Sequence, residues 1–212
     1  QLTVRAGNNC AGIGSGSGNE DNIPGNITIE NITLQANGGT SSNSSGAAIG
    51  TSAWYADPCG DITIRNSIVH AQGGNGAAAI GTGYNIYRDA TCGKITIEQS
   101  EIYATVEYFN PFSVAAYAGY GACIGHGAAL ANSCTVTVGE ISITTTETVT
   151  EFFSNDRFKR PDSNTTGFYK VGKGTCTSDV GTQVWRGVTF NGKSLASGSD
   201  NGCLLYTSPS PR

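Results

Sequence analysis

Apolar and polar residues alternate along this chain in short bursts, and the bursts recur. Gly60-Asp61-Ile62-Thr63-Ile64 puts Ile62 and Ile64 on one face and Asp61 and Thr63 on the other, the period of two expected of a strand buried on one side. The same pattern returns at Gly93-Lys94-Ile95-Thr96-Ile97 and Gly139-Glu140-Ile141-Ser142-Ile143, with a close relative at Gly25-Asn26-Ile27-Thr28-Ile29. A second motif precedes each: small-small-Ile-Gly at Ala11-Gly12-Ile13-Gly14, Ala47-Ala48-Ile49-Gly50, Ala78-Ala79-Ile80-Gly81 and Ala122-Cys123-Ile124-Gly125, with a weaker fifth copy at Lys170-Val171-Gly172-Lys173-Gly174. In the shortest unit Ile68-Val69-His70-Ala71 makes another extended stretch, and Gly73-Gly74-Asn75-Gly76 turns into the next copy. Each unit therefore predicts three short strands and three corners.

The Ile positions of the short motif, 13, 49, 80, 124 and, with Val, 171, are separated by 36, 31, 44 and 47 residues. A helical repeat would hold its period and show 3.6-residue amphipathicity, whereas here the strands stay constant and the connecting pieces vary. That combination predicts an all-β fold, a parallel β-helix or β-solenoid of about five coils, roughly 24 Å long at the usual strand spacing. Ile27, Ile62, Ile95 and Ile141 then form one internal column, with Ile29, Ile64, Ile97 and Ile143 beside it, each fully buried Ile contributing about 1.5–3 kcal/mol. Small residues such as Ala48 and Ala79 suit a corner too narrow for branched side chains.

On the outside, Thr28, Thr63, Thr96 and Ser142 stack between two charged columns: Glu30, Arg65, Glu98 and Thr144 on one flank, Asn26, Asp61, Lys94 and Glu140 on the other. Alternating charge on neighbouring strands contributes roughly 0.2–1 kcal/mol per pair and penalises a register slip. Asn31, Asn66 and Gln99 align at the following turn, where stacked amides are expected to bond along the axis. Residues 182–190 have lost the Ile-x-Ile signature, which leaves the register of the fifth unit open.

Composition narrows the partners. The 212-residue chain has 30 glycines and only 13% charged residues, yet no collagen period, and its alternation returns at fixed places, so it reads as a repetitive folded protein. A net charge of −4 supplies no basic footprint for a phosphate backbone, which argues against nucleic acid as a partner, and no segment predicts a membrane span. The last ten residues, Cys203-Leu204-Leu205-Tyr206-Thr207-Ser208-Pro209-Ser210-Pro211-Arg212, resemble the translation of a transposase adapter used in DNA sequencing libraries. On that reading residues 1–202 are a single solenoid domain truncated at both ends, with open ends, and residues 203–212 are a non-native tail to be left out of fold reasoning. The chain has no Met, so its start is expected to be internal and further domains to belong to the same longer chain.

Apart from Cys203, the cysteines are Cys10, Cys59, Cys92, Cys123, Cys134 and Cys176, none at CxxC or Cys/His spacing suited to zinc. Cys59 and Cys92 both precede the Gly of a Gly-x-Ile-Thr-Ile segment and should stack in adjacent units. A strand spacing of about 4.8 Å lies inside the Cα window for a disulfide, but parallel side-chain directions are a poor starting geometry, so buried free thiols and a disulfide are both open.

The Ala-Ile-Gly and Cys-Gly-x-Ile-Thr-Ile motifs together resemble the glycine-rich parallel β-helix repeats of surface-exposed and secreted proteins of gut bacteria, some of them related to carbohydrate-binding β-helix modules. The resemblance spans roughly residues 2–191. It implies a right-handed coil and an extracellular or cell-surface location; it is specific for architecture and loose for activity.

For chemistry, β-helix lyases and hydrolases set carboxylates on one outer face, and glycoside hydrolysis needs two carboxyl groups roughly 5–9.5 Å apart. Here Arg65 separates Glu30 from Glu98 and Lys94 separates Asp61 from Glu140, and the intervening cations leave no persuasive acid/base couple. No catalytic residue is assigned, and no cofactor or metal is expected. His70, with column neighbours Gln35 and Tyr103, and His126 both read as exposed polar positions. The outward Thr ladder suits ice poorly, because long charged side chains line it on both sides.

The candidate site lies in the loops between each Ile-Gly and the following Cys-Gly. Ser52-Ala53-Trp54-Tyr55-Ala56-Asp57-Pro58 and Gly83-Tyr84-Asn85-Ile86-Tyr87-Arg88-Asp89-Ala90-Thr91 place aromatic and acidic residues in the same loop of consecutive units, a coincidence that the Ile and Gly requirements do not impose. Planar rings cover sugar faces and carboxylates accept hydroxyl protons, so Trp54, Tyr55, Asp57, Tyr84, Tyr87, Arg88 and Asp89 form a candidate glycan-binding edge; the plainer reading is that the rings cap the edge of the stack. The apolar insertion at 108–120 reads as a satellite cover or a partner patch, and the insertion at 152–167, with Arg157, Lys159 and Arg160, as a polar loop. Asn26, Asn31, Asn43 and Asn164 fit the glycosylation acceptor pattern, which matters only in a eukaryotic source. The function expected is a non-catalytic surface or adhesion module that binds polysaccharide or a cell-surface glycan. A passive stalk and a polysaccharide-active enzyme are the alternatives.

Overall fold

A computed structural model describes residues 1–16, 25–41, 45–53, 58–84, 89–107, 121–127, 136–146, 158–160, 163–166, 171–172, 185–186 and 188–194, and all regular structure among them is β. In chain order the strands are β1 (Leu2–Arg5), β2 (Ile13–Gly14), β3 (Ile27–Glu30), β4 (Thr33–Asn37), β5 (Ile49–Gly50), β6 (Ile62–Arg65), β7 (Ile68–Asn75), β8 (Ile80–Gly81), β9 (Ala90–Cys92) and β10 (Ile95–Glu98). They continue with β11 (Glu101–Glu107), β12 (Ile124–Gly125), β13 (Val136–Val138), β14 (Ile141–Thr144), β15 (Phe158–Arg160), β16 (Ser163–Thr166), β17 (Val171–Gly172), β18 (Trp185–Arg186), β19 (Val188–Phe190) and β20 (Lys193–Ser194).

Each kind of strand joins its own sheet. The first sheet runs β1-β4-β7-β11-β15-β16, the second β3-β6-β10-β14-β19-β20 and the third β2-β5-β8-β12, with two-stranded pairings β9-β13 and β17-β18. Successive units therefore lie side by side, and every pairing is parallel except β15 with β16 and β19 with β20.

In the second sheet Ile27, Ile62, Ile95 and Ile141 stand opposite one another, and Ile29, Ile64, Ile97 and Ile143 do the same two residues on. The columns from Ile62 and Ile64 onward are essentially sealed from water, and all eight side chains belong to one core. Val188, Thr189 and Phe190 continue opposite Ile141, Ser142 and Ile143, so the last unit keeps the register with different apolar residues, and Phe190 is fully buried. In the first sheet Leu34, Ala36, Val69, Ala71, Ile102 and Ala104 turn inward, while Gln35 and His70 between them are exposed.

Corners set the remaining sequence. Gly14, Gly50, Gly81 and Gly125 hold φ of 134–136°, a region open essentially only to glycine. A Cβ at Gly50 would collide with the Gly81 carbonyl oxygen, and one at Gly81 with that of Gly125. Just beyond, Ser15 Oγ accepts the Ser52 N–H at 2.6 Å, Thr51 Oγ1 the Gly83 N–H at 2.9 Å and Thr82 Oγ1 the Gly127 N–H at 2.8 Å. Each hydroxyl thus satisfies a buried donor of the next unit. Another corner uses serine: the Ser67 and Ser100 hydroxyls donate to Arg65 O and Glu98 O and accept the N–H groups of Ile32 and Ser67 respectively.

At the turn carrying Asn31, Asn66 and Gln99 the φ values are 54°, 45° and 47°. Their backbone N–H groups donate to Arg65 O, Glu98 O and Thr144 O at 2.7–3.1 Å. The left-handed backbone, which Asn adopts at less cost than most residues, accounts for the residue choice there more directly than amide stacking. The two ends of the second sheet differ. β3 is an edge strand, whereas Asn191-Gly192, with φ of 48° and 74°, turns β19 back into antiparallel β20, the Asn-Gly hairpin chemistry of a turn with both central residues at positive φ.

Candidate functional site

The aromatic loop edge divides on inspection. Trp54, Tyr55, Asp57, Tyr87 and Arg88 lie outside the described residues, as do the insertion at 108–120 and residues 203–212. Asp89 is exposed just before β9. Tyr84 corrects the expectation of an exposed ring: it is only 1% exposed and among the largest fully buried side chains. Its backbone turns back to form an antiparallel bridge with Ser45, with the Tyr84 N–H donating to Ser45 O at 2.9 Å. A ring sealed in this way has no face for a sugar.

The outward face of the first sheet carries a different array. Thr3, Gln35, His70 and Tyr103 occupy one register column on β1, β4, β7 and β11. The His70 and Tyr103 rings stack with centroids 4.6 Å apart and planes 7° from parallel. That separation matches the spacing of neighbouring strands, about 4.8 Å, so each ring covers one face of the other. The Tyr103 hydroxyl donates to Glu101 Oε2 at 3.1 Å, and in the next outward column Asn37 Nδ2 donates to Gln72 Oε1 at 3.0 Å. Ile68, 38% exposed, sits between Thr33 and Glu101 in the third column. The middle of the face is thus neutral, dense in amide, hydroxyl and imidazole groups and touched by one aliphatic side chain, with Arg5 and Glu101 at its margins.

Sequence reasoning passed over Gln35, His70 and Tyr103 as ordinary surface. The signal was available: aligning Ile68-Val69-His70-Ala71 with Glu101-Ile102-Tyr103-Ala104 sets an imidazole beside a phenol on neighbouring strands. Burial also corrects His126, expected to be exposed. It is 4% exposed, follows Ser15, Thr51 and Thr82 in the hydroxyl-bearing corner column, and its Nδ1 has no hydrogen-bond partner among the described residues.

The second sheet's outward face is charged and tied to itself. Arg65 Nε lies 2.7 Å from Glu98 Oε2, and its Nη1 lies 3.1 Å from Glu30 Oε1. The hydrogen bond that the guanidinium donates to Glu98, and then the one to Glu30, raise it above its ordinary value. On the other flank Asn26 Oδ1 accepts the Asp61 N–H at 2.9 Å, and Asp61 Oδ1 accepts the Lys94 N–H at 2.8 Å. These polar groups clamp neighbouring units in register; the two carboxylates nearest an acid/base pair, Glu30 and Glu98, share one cation between them.

Among the described residues no helix is long and apolar enough to cross a membrane, and no group of three or more His, Cys, Asp or Glu is placed to hold a metal ion. Compared with protein-family models, with curated proteins and with solved structures, the chain matches none.

Proposed function

We propose that the chain is a non-catalytic extracellular or cell-surface module, a right-handed parallel β-helix of about five coils, that binds a polysaccharide or cell-surface glycan. The coil reading is supported by three sheets, parallel apart from the β15–β16 and β19–β20 pairings, in each of which successive units are neighbours. The location and the hand rest on the resemblance of the Ala-Ile-Gly and Cys-Gly-x-Ile-Thr-Ile motifs to secreted β-helix repeats. The observation that carries the binding reading is the neutral array on the first sheet, Gln35, His70 and Tyr103 in one column with Asn37 and Gln72 beside it. A glycan is a chain of hydroxyl groups, and donors and acceptors repeating at about 4.8 Å meet several of them at once without demanding charge. Asp89 and the loop residues Trp54, Tyr55, Asp57, Tyr87 and Arg88 are proposed as a second contact.

A passive stalk is the second reading, and one observation favours it: His70 and Tyr103 each cover one face of the other, which halves the ring surface that sugar-binding aromatics use. Glycan-array screening decides between them. Retention of a defined neutral or acidic glycan supports the module; an array that shows no binding above background leaves the stalk.

A further inference from the structure

Cys59 and Cys92 lie one above the other inside the stack. They form a parallel bridge, with the Cys59 N–H donating to Thr91 O at 2.8 Å and the Gly93 N–H to Cys59 O at 3.0 Å. Both side chains belong to the core, 4% and 1% exposed, and both are free thiols in this structure. Among the described residues this column holds two sulfurs, Cys59 and Cys92. The residue before the corresponding Gly is Pro24 in the preceding unit and Val138 in the following one, and Val138 stands opposite Cys92, fully buried. An apolar side chain therefore fills this position well, and packing alone does not call for sulfur in two consecutive units.

We infer that Cys59 and Cys92 are a redox pair that closes to a disulfide joining two consecutive units, by exchange with a small-molecule disulfide such as oxidised glutathione. Residues paired directly on neighbouring strands are about 4.8 Å apart, within the Cα range that a disulfide spans, and closing the bond requires the two parallel side chains to turn toward each other. The neighbouring Cys92 thiol lowers Cys59 from its ordinary value despite burial and the nearby Asp61. The neighbouring Cys59 thiol, and after it burial, raise Cys92 well above its own. Cys59, the less deeply buried of the two and the one next to exposed Pro58, is the attacking group, and Pro58 marks the side from which a reagent approaches.

The exchange runs in two steps. Cys59 thiolate attacks one sulfur of the small disulfide, forming a mixed disulfide and releasing one thiolate, which takes up a proton. Cys92 then gives up its proton and attacks the Cys59 sulfur, the Cys59–Cys92 bond forms, and the second small thiol leaves. Two protein thiols are oxidised and one disulfide is reduced to two thiols. The result encloses one whole unit in a covalent ring, whether or not the outer faces bind glycans.

The test is a non-reducing peptide map of the full chain after incubation with oxidised glutathione below its melting temperature, with free thiols alkylated under denaturing conditions. The expected product is a peptide containing Cys59 linked to one containing Cys92, lighter by two hydrogens than the two reduced peptides together. Cys123→Ala should leave that link intact, because Ala48 and Ala79 occupy the corresponding positions. Cys59→Val, which copies the Val138 solution, should abolish the link and leave Cys92 alkylated. Recovery of Cys59 and Cys92 both alkylated from the oxidised wild-type chain would overturn the proposal. So would either of them linked instead to Cys10, Cys134 or Cys176, or stably to glutathione.

Discussion

The corner where Ile49, Ile80 and Ile124 stack and the outward face that carries His70 and Tyr103 are made of the same parallel strands, yet they constrain sequence very differently. At the corner the glycines hold φ of 134–136° with the next unit's carbonyl where a side chain would begin. Ala47, Ala48, Ala78, Ala79 and Ala122 beside them are completely buried, and three hydroxyls each satisfy one donor of the following unit. On the outward face the backbone asks only for a residue that tolerates a strand, and Thr3, Gln35, His70 and Tyr103 have little else in common. Repetition at the corner is explained by sterics; the variety on the face is not, and chemistry that the scaffold does not require is where function belongs.

Substitutions can break this comparison at either side. Gly81→Ala should have the largest effect, because a methyl group there meets the Gly125 carbonyl and the φ of 136° is strained for any other residue. A loss above about 4 kcal/mol is expected, seen as the absence of a cooperative thermal transition. A variant that melts within a few degrees of the wild type would show the corner to be no stricter than the face. Thr51→Val comes next. It preserves shape but removes the acceptor of the buried Gly83 N–H, at a cost of about 1–3 kcal/mol in denaturant unfolding, and Thr51→Ser should recover most of it. Equal stability of the Val and Ser variants would mean that the hydroxyl column is not what holds successive corners together.

The Ile columns were legible because strand alternation and copy-to-copy alignment follow from the sheet itself, and the pairing of Ile62 with Ile95 is the one that the motifs imply. The last unit was harder to place, since Val188 and Phe190 replace the two isoleucines; the sheet asks for branched or aromatic bulk and not for one residue type. Tyr84 was misread for a different reason. A loop rich in aromatics does not announce which rings turn inward, and the deciding contact is a backbone pairing with Ser45, far away in sequence. His126 was misplaced because a polar residue after Ile-Gly reads as surface until the burial of Ser15, Thr51 and Thr82 shows the column to be internal. The His70–Tyr103 stack was half legible: register follows from alignment, whereas ring orientation depends on rotamers that no pattern encodes.

Two outward faces remain to be set against the corner, and they carry the smallest effects on stability. Arg65→Gln removes the cation shared by Glu30 and Glu98, but all three side chains are more than 40% exposed. Exposed pairs of this kind contribute little, so the melting temperature should fall by about a degree at low salt. The difference should vanish at about 1 M salt, where the screening length is about 3 Å. A deficit that persists there would mean that Arg65 acts through packing.

The sharpest test of the comparison is at the column that shapes no corner. His70→Ala and Tyr103→Ala truncate side chains on the outer face and should each change unfolding free energy by no more than about 0.5 kcal/mol, the usual scale for surface positions. Affinity for a glycan retained by the wild type should fall about tenfold or more, equivalent to about 1.4 kcal/mol of lost contact. Because the rings stack on one another, the double variant should lose little beyond the larger single loss; two rings that act as one unit give non-additive effects. Additive losses would mean that each ring meets the ligand independently. Unchanged affinity in all three variants, with stability also unchanged, would return this column to the scaffold and leave the binding reading to Asp89 and its loop.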